Sequence, residues 1–171
     1  NFKLNKSKVK SSKKSSDGTI KFAIQLYDNL IVEAVMIPSN KRVTACVSSQ
    51  VGCSLDCNFC ATSKIKKMRN LESYEIFDQI MLLNKESVNH FSSPITNIVF
   101  MGMGEPLLNY KNVIESIDQI TSDFGIGISY KKITLSTSGI SKMIRKMADD
   151  NVKFNLAISL HTALEKTRNK V

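Results

Sequence analysis

The 171-residue sequence contains no uninterrupted apolar run of about 18–20 residues, the length a membrane-spanning helix requires. Its N-terminal region lacks the apolar stretch of a secretory signal peptide. These two absences make a cytoplasmic protein with no membrane partner the expectation. No internal repeat is visible, which argues against a stacked-repeat architecture. No acid occurs among residues 1–14, and no cysteine follows Cys60. What remains is ordinary for one globular core: 42% hydrophobic residues and 23% charged.

The formal net charge is +9, and six of the lysines (Lys3, Lys6, Lys8, Lys10, Lys13 and Lys14) fall in that acid-free opening, leaving about +3 for the remaining chain. Such a segment reads either as a loose solvated stretch or as a contact surface for nucleic-acid phosphates. Charge alone does not establish an RNA substrate. All four cysteines, Cys46, Cys53, Cys57 and Cys60, lie within 15 residues. A disulfide framework usually spreads its cysteines to close larger loops. Clustering in a cytosolic chain favours metal binding or redox chemistry.

Three segments are expected. Residues 1–18 form a basic flexible segment ending in the turn signal Asp17-Gly18. Residues 19–38 form a β-hairpin: Ile20, Phe22, Ile24 and Leu26 alternate, Tyr27-Asp28-Asn29 turns, and a β-rich run stops at Pro38. Residues 39–171 form the main domain, where strand and helix patterns alternate. Strands are predicted at Val43–Ser48, Asn97–Gly102, Lys132–Ser136 and Asn155–Leu160. Helical faces are predicted over 73–86, 110–122 and 140–149. Four strand–loop–helix repeats mean an α/β fold with a parallel sheet, and ligands then bind beyond the carboxyl ends of the strands. The loops after 48, 102, 136 and 160 hold Cys53/Cys57/Cys60, Gly104-Glu105, Ser136-Thr137-Ser138 and His161. The sheet reads as unfinished at Val171, as expected of a fragment of a longer protein.

Cys53-Ser-Leu-Asp-Cys57-Asn-Phe-Cys60 has the spacing C-x3-C-x2-C. Three thiolates can hold three irons of a cubane and leave the fourth open for a substrate. The competing reading is a structural zinc site with Cys46 as fourth ligand, in a non-catalytic RNA-binding module. The basic run Lys64, Lys66, Lys67 and Arg69 is either a solvated loop or an RNA phosphate contact.

The three-cysteine spacing, with Phe59 just before the last cysteine, closely resembles that of radical S-adenosylmethionine enzymes. Four stretches narrow the resemblance: Cys46-Val-Ser-Ser-Gln-Val-Gly-Cys53, Met101-Gly-Met-Gly-Glu-Pro-Leu-Leu-Asn109, Leu135-Ser-Thr-Ser-Gly139 and Ala157-Ile-Ser-Leu-His161. In this order they resemble the RlmN/Cfr family of radical methyltransferases, over about residues 17–171. The wording of the first two is closer to the RlmN branch, which methylates carbon 2 of an adenosine in 23S rRNA and, in some bacteria, the adenosine beside the tRNA anticodon. The Cfr-like alternative methylates carbon 8.

The resemblance implies a partial (β/α)6 barrel with about four βα units present, a 4Fe-4S cluster on Cys53, Cys57 and Cys60, and S-adenosyl-L-methionine as second cofactor. It implies S-adenosylmethionine contacts at Gly104, Glu105, Ser136, Ser159, Leu160 and His161. Gly104-Glu105 would receive the methionine amino group, since glycine permits close backbone approach and a carboxylate suits an ammonium. Glu33 matches the family's proton acceptor. Cys46 matches the cysteine that resolves a covalent protein–RNA intermediate through a transient disulfide, which demands an accessible thiol. The expected partners are 23S rRNA, tRNA and an electron donor such as flavodoxin or ferredoxin. The family's methyl-carrying cysteine, its last barrel strands and its N-terminal RNA-binding domain have no counterpart in these residues.

Overall fold

The computed structural model describes residues 5–55 and 57–168; Lys3 of the basic segment and the last three residues of the main domain lie outside them. Four antiparallel strands open the fold: β1 (Lys8–Lys14), β2 (Ile20–Gln25), β3 (Ile31–Ser39) and β4 (Arg42–Cys46). The short strands β5 (Gln50–Val51) and β6 (Arg69–Asn70) pair with each other and bracket the cysteine loop. Then follow α1 (Ser73–Phe91), β7 (Asn97–Phe100), α2 (Tyr110–Thr121), β8 (Ile133–Thr137), α3 (Ser141–Asp149), β9 (Asn155–Ile158) and α4 (Glu165–Arg168).

One sheet of order β1-β2-β3-β4-β7-β8-β9 carries the architecture. β4, β7, β8 and β9 are parallel neighbours, as the alternating pattern predicts. The fold is mixed α/β and holds part of a β/α barrel. No helix among the described residues is long and apolar enough to cross a membrane.

The opening departs from its expectation. Residues 8–14, expected to be flexible, form β1 and pair with β2, so the hairpin is part of a larger antiparallel meander. The ordering force is the backbone ladder, since only Val9 of β1 packs against the core. A lysine-rich edge strand with a register shift between Val9 and Ser11 is how natural sheets discourage edge-to-edge pairing. Because its exposed side chains do not alternate apolar and polar, the hydrophobic pattern gives no strand signal there. β3 likewise runs through Pro38 to Ser39. Its pairing with β2 ends at Met36, so the missing N–H of Pro38 interrupts no β2–β3 bond.

One face of the sheet is covered. Phe22, Ile24, Val32, Met36, Ala45, Ile98, Phe100 and Leu135 are buried with Ile76, Ile80 and Leu83 of α1 and Val113, Ile117 and Ile120 of α2. α1 starts on a reciprocal capping box between Glu72 and Glu75 and stops at Ser92, whose φ of 51° ends the helix. Strand alternation turns Glu33, Val35 and Cys46 to the opposite, more open face, where Val35 and Cys46 stand opposite each other. The loops at the carboxyl ends of the four parallel strands lie together along one edge.

Candidate functional site

Those loops enclose a cavity of about 270 Å³ lined by Cys53, Cys57, Cys60, Gly104, Glu105, Ser136 and Ser159, among others. Seven residues singled out from sequence therefore meet at one place, although they span 107 positions of the chain.

The turn after β7 is built most tightly. Gly104 has φ +92°, and a Cβ there would stand 2.4 Å from the Cβ of Gln50, so only glycine fits. Glu105 follows and is 4% exposed. Its Oε2 accepts from the Ser138 N–H at 2.8 Å and the Ser138 hydroxyl at 3.1 Å, and its Oε1 accepts from the Leu107 N–H at 3.0 Å. A carboxylate has about four acceptor directions, so three protein donors leave room for a cationic ligand. Behind the turn lie buried polar residues that sequence reasoning left without a role. Gln50 accepts from the Glu105 N–H, Ser48 accepts from the Met103 N–H, and Asn109 donates to Ser49 and Leu71. The signal for them was present: Ser48, Ser49 and Gln50 are three polar residues directly after an apolar strand.

The cysteine loop is built differently. The Cys53 N–H donates to the Ile65 carbonyl at 3.3 Å, and Cys53 bridges to Lys66. The Cys60 N–H donates to the Cys57 carbonyl, and Ser63 donates through both N–H and hydroxyl to the Cys60 carbonyl. All three cysteines are partly exposed. Among the described residues no three His, Cys, Asp or Glu side chains converge on a single ion position. Cys46, the fourth ligand a zinc site would need, does not line the cavity.

Ser136 and Ser159 face each other across β8 and β9, their hydroxyl oxygens 3.3 Å apart. Leu160 and His161 follow outside the cavity lining, both exposed. His161 takes a φ of 56°, and its ring lies against Phe59 of the cysteine loop, centroids 3.6 Å apart and planes tilted by 41°.

Glu33 and Cys46 do not line this cavity. They are diagonal neighbours on the open sheet face, a spacing of about 7–8 Å for such pairs. The Glu33 carboxylate pairs with Lys21 at 2.6 Å, both side chains half exposed. Cys46 is only 9% exposed. Burial pushes its thiol up to about 11, opposed by a hydrogen bond from the Met101 backbone. In this state the thiol is protonated and covered, unlike the accessible group expected.

Arg69 leaves the basic run. It donates to both oxygens of the fully buried Glu75 carboxylate at 2.7 and 2.8 Å and to Asp28 at 2.8 Å. Those carboxylates raise its already high pKa further, and it ties the base of the cysteine loop to α1 and the β2–β3 turn. It is committed to structure, whereas Lys64 and Lys66 stay exposed.

The sequence signature of the Radical SAM superfamily matches residues 47–171. The chain is 63% identical over its whole length to a probable dual-specificity RNA methyltransferase RlmN of Flavobacterium psychrophilum, of which it covers 49%. It is 54% identical to the protein of the same name from Cytophaga hutchinsonii, of which it covers 47%. The chain thus spans about half the length of these curated relatives. A crystal structure of a radical SAM methyltransferase from Sphaerobacter thermophilus superposes with a TM-score of 0.91 at 33% identity, over 98% of this chain and 49% of that one.

Proposed function

The chain belongs to the Radical SAM superfamily, whose cofactors are a 4Fe-4S cluster and S-adenosylmethionine, and from that premise we propose that it is the cofactor-binding portion of an RNA methyltransferase acting on carbon 2 of adenine in 23S rRNA and tRNA. The observation that carries this reading is the single cavity in which three thiols of one loop face Gly104, Glu105 and two serine hydroxyls from other strand ends. When bound, the cluster supplies the electron that cleaves the sulfonium bond of S-adenosylmethionine.

The chain's own groups divide the remaining tasks. Cys53, Cys57 and Cys60 hold the cluster. Gly104 lets the methionine moiety approach the backbone, and Glu105 offers its unused acceptor direction to the ammonium group. Ser136 and Ser159 present hydroxyls to the same ligand, and Leu160 and His161 form the rim beside Phe59. Glu33 is the acceptor for the adenine ring proton, within reach of the Lys21 ammonium that balances its charge. Cys46 is the thiol that would end the covalent stage in the whole enzyme: its sulfur bonds to that of the family's methyl-carrying cysteine as the C–S bond from that sulfur to the RNA adduct breaks, its own proton is lost, and it must lose its cover before it acts. The electron comes from a flavodoxin or ferredoxin, and the protein works in the cytoplasm.

The test uses the whole protein, purified without oxygen and reconstituted with iron and sulfide. About four irons per chain are expected, with an electron paramagnetic resonance spectrum that shifts when S-adenosylmethionine is added. Incubation with 23S rRNA fragments and tRNA should yield 2-methyladenosine by mass spectrometry. Product methylated at carbon 8 would replace the carbon-2 assignment with the Cfr-like one. Tightly bound zinc, or a spectrum that ignores S-adenosylmethionine, would sink the reading.

A further inference from the structure

Gln50 is fully buried, three positions before Cys53 in the chain, and it grips the Gly104–Glu105 turn through both backbone and side chain. Its N–H donates to the Met103 carbonyl at 3.2 Å. Its Oε1 accepts from the Glu105 N–H at 2.9 Å, and its Nε2 donates to Asn70 Oδ1 at 2.8 Å. Its Cβ and Cγ lie against Gly104, so close that a methyl group on that glycine would meet them at 2.4 and 2.6 Å. Asn70 stands opposite Gln50 in the β5–β6 ribbon, and its own amide donates to the Leu108 carbonyl at 3.3 Å.

One buried amide therefore spans the gap between two parts of the site. On one side is the ribbon that closes the base of the cysteine loop. On the other is the turn that presents Glu105. A ligand whose amino-acid end must reach both the open corner of a cluster and Glu105 requires those two parts to hold a fixed separation. We infer that Gln50 is a positioning residue that sets the Gly104–Glu105 turn at the right distance from the cluster-binding loop, and so governs affinity for the methionine moiety of S-adenosylmethionine. The inference rests on the reading of the cavity given above. Gln50 donates nothing to the ligand itself; it acts through the Glu105 N–H and through the lie of the turn.

The test is Gln50→Met in the whole reconstituted protein. Methionine keeps the side chain's length and its contact with Gly104 but removes the amide. Iron content should be unchanged, and S-adenosylmethionine should bind about ten- to a hundredfold more weakly, as expected for losing two buried hydrogen bonds. Affinity for 5′-deoxyadenosine, which lacks the amino-acid end, should not move. In cluster-free protein, hydrogen exchange at the Glu105 amide should accelerate, a readout independent of any cofactor. Full iron with wild-type affinity for S-adenosylmethionine would overturn the inference. Equal weakening toward both ligands would also overturn it, since that is general damage to the site. Should Gln50→Met fail to fold, Asn70→Ala decides the matter. It keeps the bond to Glu105 but releases the far end of the amide, so about threefold weaker S-adenosylmethionine binding is expected, and unchanged affinity would refute the inference. If the wild-type cluster ignores S-adenosylmethionine, the underlying reading of the cavity fails, while the exchange result still reports whether Gln50 holds the turn.

Discussion

The two walls of the cavity are made in opposite ways. The Gly104–Glu105 wall is rigid before any ligand arrives. Its polar groups are buried and satisfied by Gln50, Ser48 and Ser138, which come from two separate stretches of chain. The cysteine wall is a partly exposed loop with hydrogen bonds between its own residues, as between Cys60 and Cys57 or Cys53 and Ile65. A group bound by three thiolates supplies its own rigidity, so the protein need only fix the loop's base. An ammonium and a carboxylate supply none, so the protein must hold their partners in place beforehand. The contrast teaches where a substitution will hurt: at the base of the cysteine loop but, its three thiols aside, not along it, and throughout the opposite wall.

The largest effect should come at that base. Arg69 joins β6 to α1 and the β2–β3 turn, and Glu75, its bidentate partner, is fully buried. Arg69→Met leaves that carboxylate without its cation, a loss of about 3–5 kcal/mol for a broken buried pair. Chemical denaturation of the cluster-free chain should show it, and Arg69→Met combined with Glu75→Met should recover part of it, the capping bond from the Glu72 N–H staying lost. A cost under about 1 kcal/mol would mean the loop is anchored elsewhere.

A second effect separates the cysteines. Cys53 and Cys60 sit partly exposed in the loosely held loop, while Cys46 lies buried on the sheet with its thiol pushed up to about 11. At neutral pH such a thiol carries on the order of a hundredfold less thiolate than an ordinary one. Iodoacetamide should modify Cys53 and Cys60 of the cluster-free chain first, with Cys46 lagging and catching up as pH approaches 11. The fold favours the protonated thiol, so this contribution is complete below the ordinary thiol pKa and is lost as pH rises toward 11. Equal alkylation rates at all three positions would show that Cys46 is open in solution.

Much of this arrangement is legible from residue order. The four parallel strands are marked by the runs Val43–Ser48, Asn97–Gly102, Lys132–Ser136 and Asn155–Leu160, whose ends fall within two residues of the observed ones at Cys46, Phe100, Thr137 and Ile158, and the parallel-sheet rule then puts the loops after them on one edge. The cysteine spacing carries its chemistry without the fold. What stays hidden depends on long-range contacts. β1 has no apolar face to betray it and is ordered by backbone pairing, with Val9 its one side chain packed on the core. Arg69 looks like the lysines beside it until Glu75 and Asp28 fold against it. The bracing of Glu105 by Ser138 joins residues 33 positions apart, and no local pattern announces it.

That last contact gives the smallest effect and the sharpest test of the rigid wall. Ser138 holds Glu105 Oε2 twice, through its N–H at 2.8 Å and its hydroxyl at 3.1 Å. Ser138→Ala removes only the hydroxyl, so the carboxylate keeps its backbone donors from Ser138 and Leu107. A hydrogen bond to a charged group contributes about 1.5–3 kcal/mol, but one of several on the same carboxylate gives the lower part of that range. The expected result is about tenfold weaker S-adenosylmethionine binding at unchanged iron content. Were the wall soft, the carboxylate would simply turn to another donor and the affinity would hold. A measured loss therefore reports how firmly Glu105 is held, and an unchanged affinity would erase the difference between the two walls.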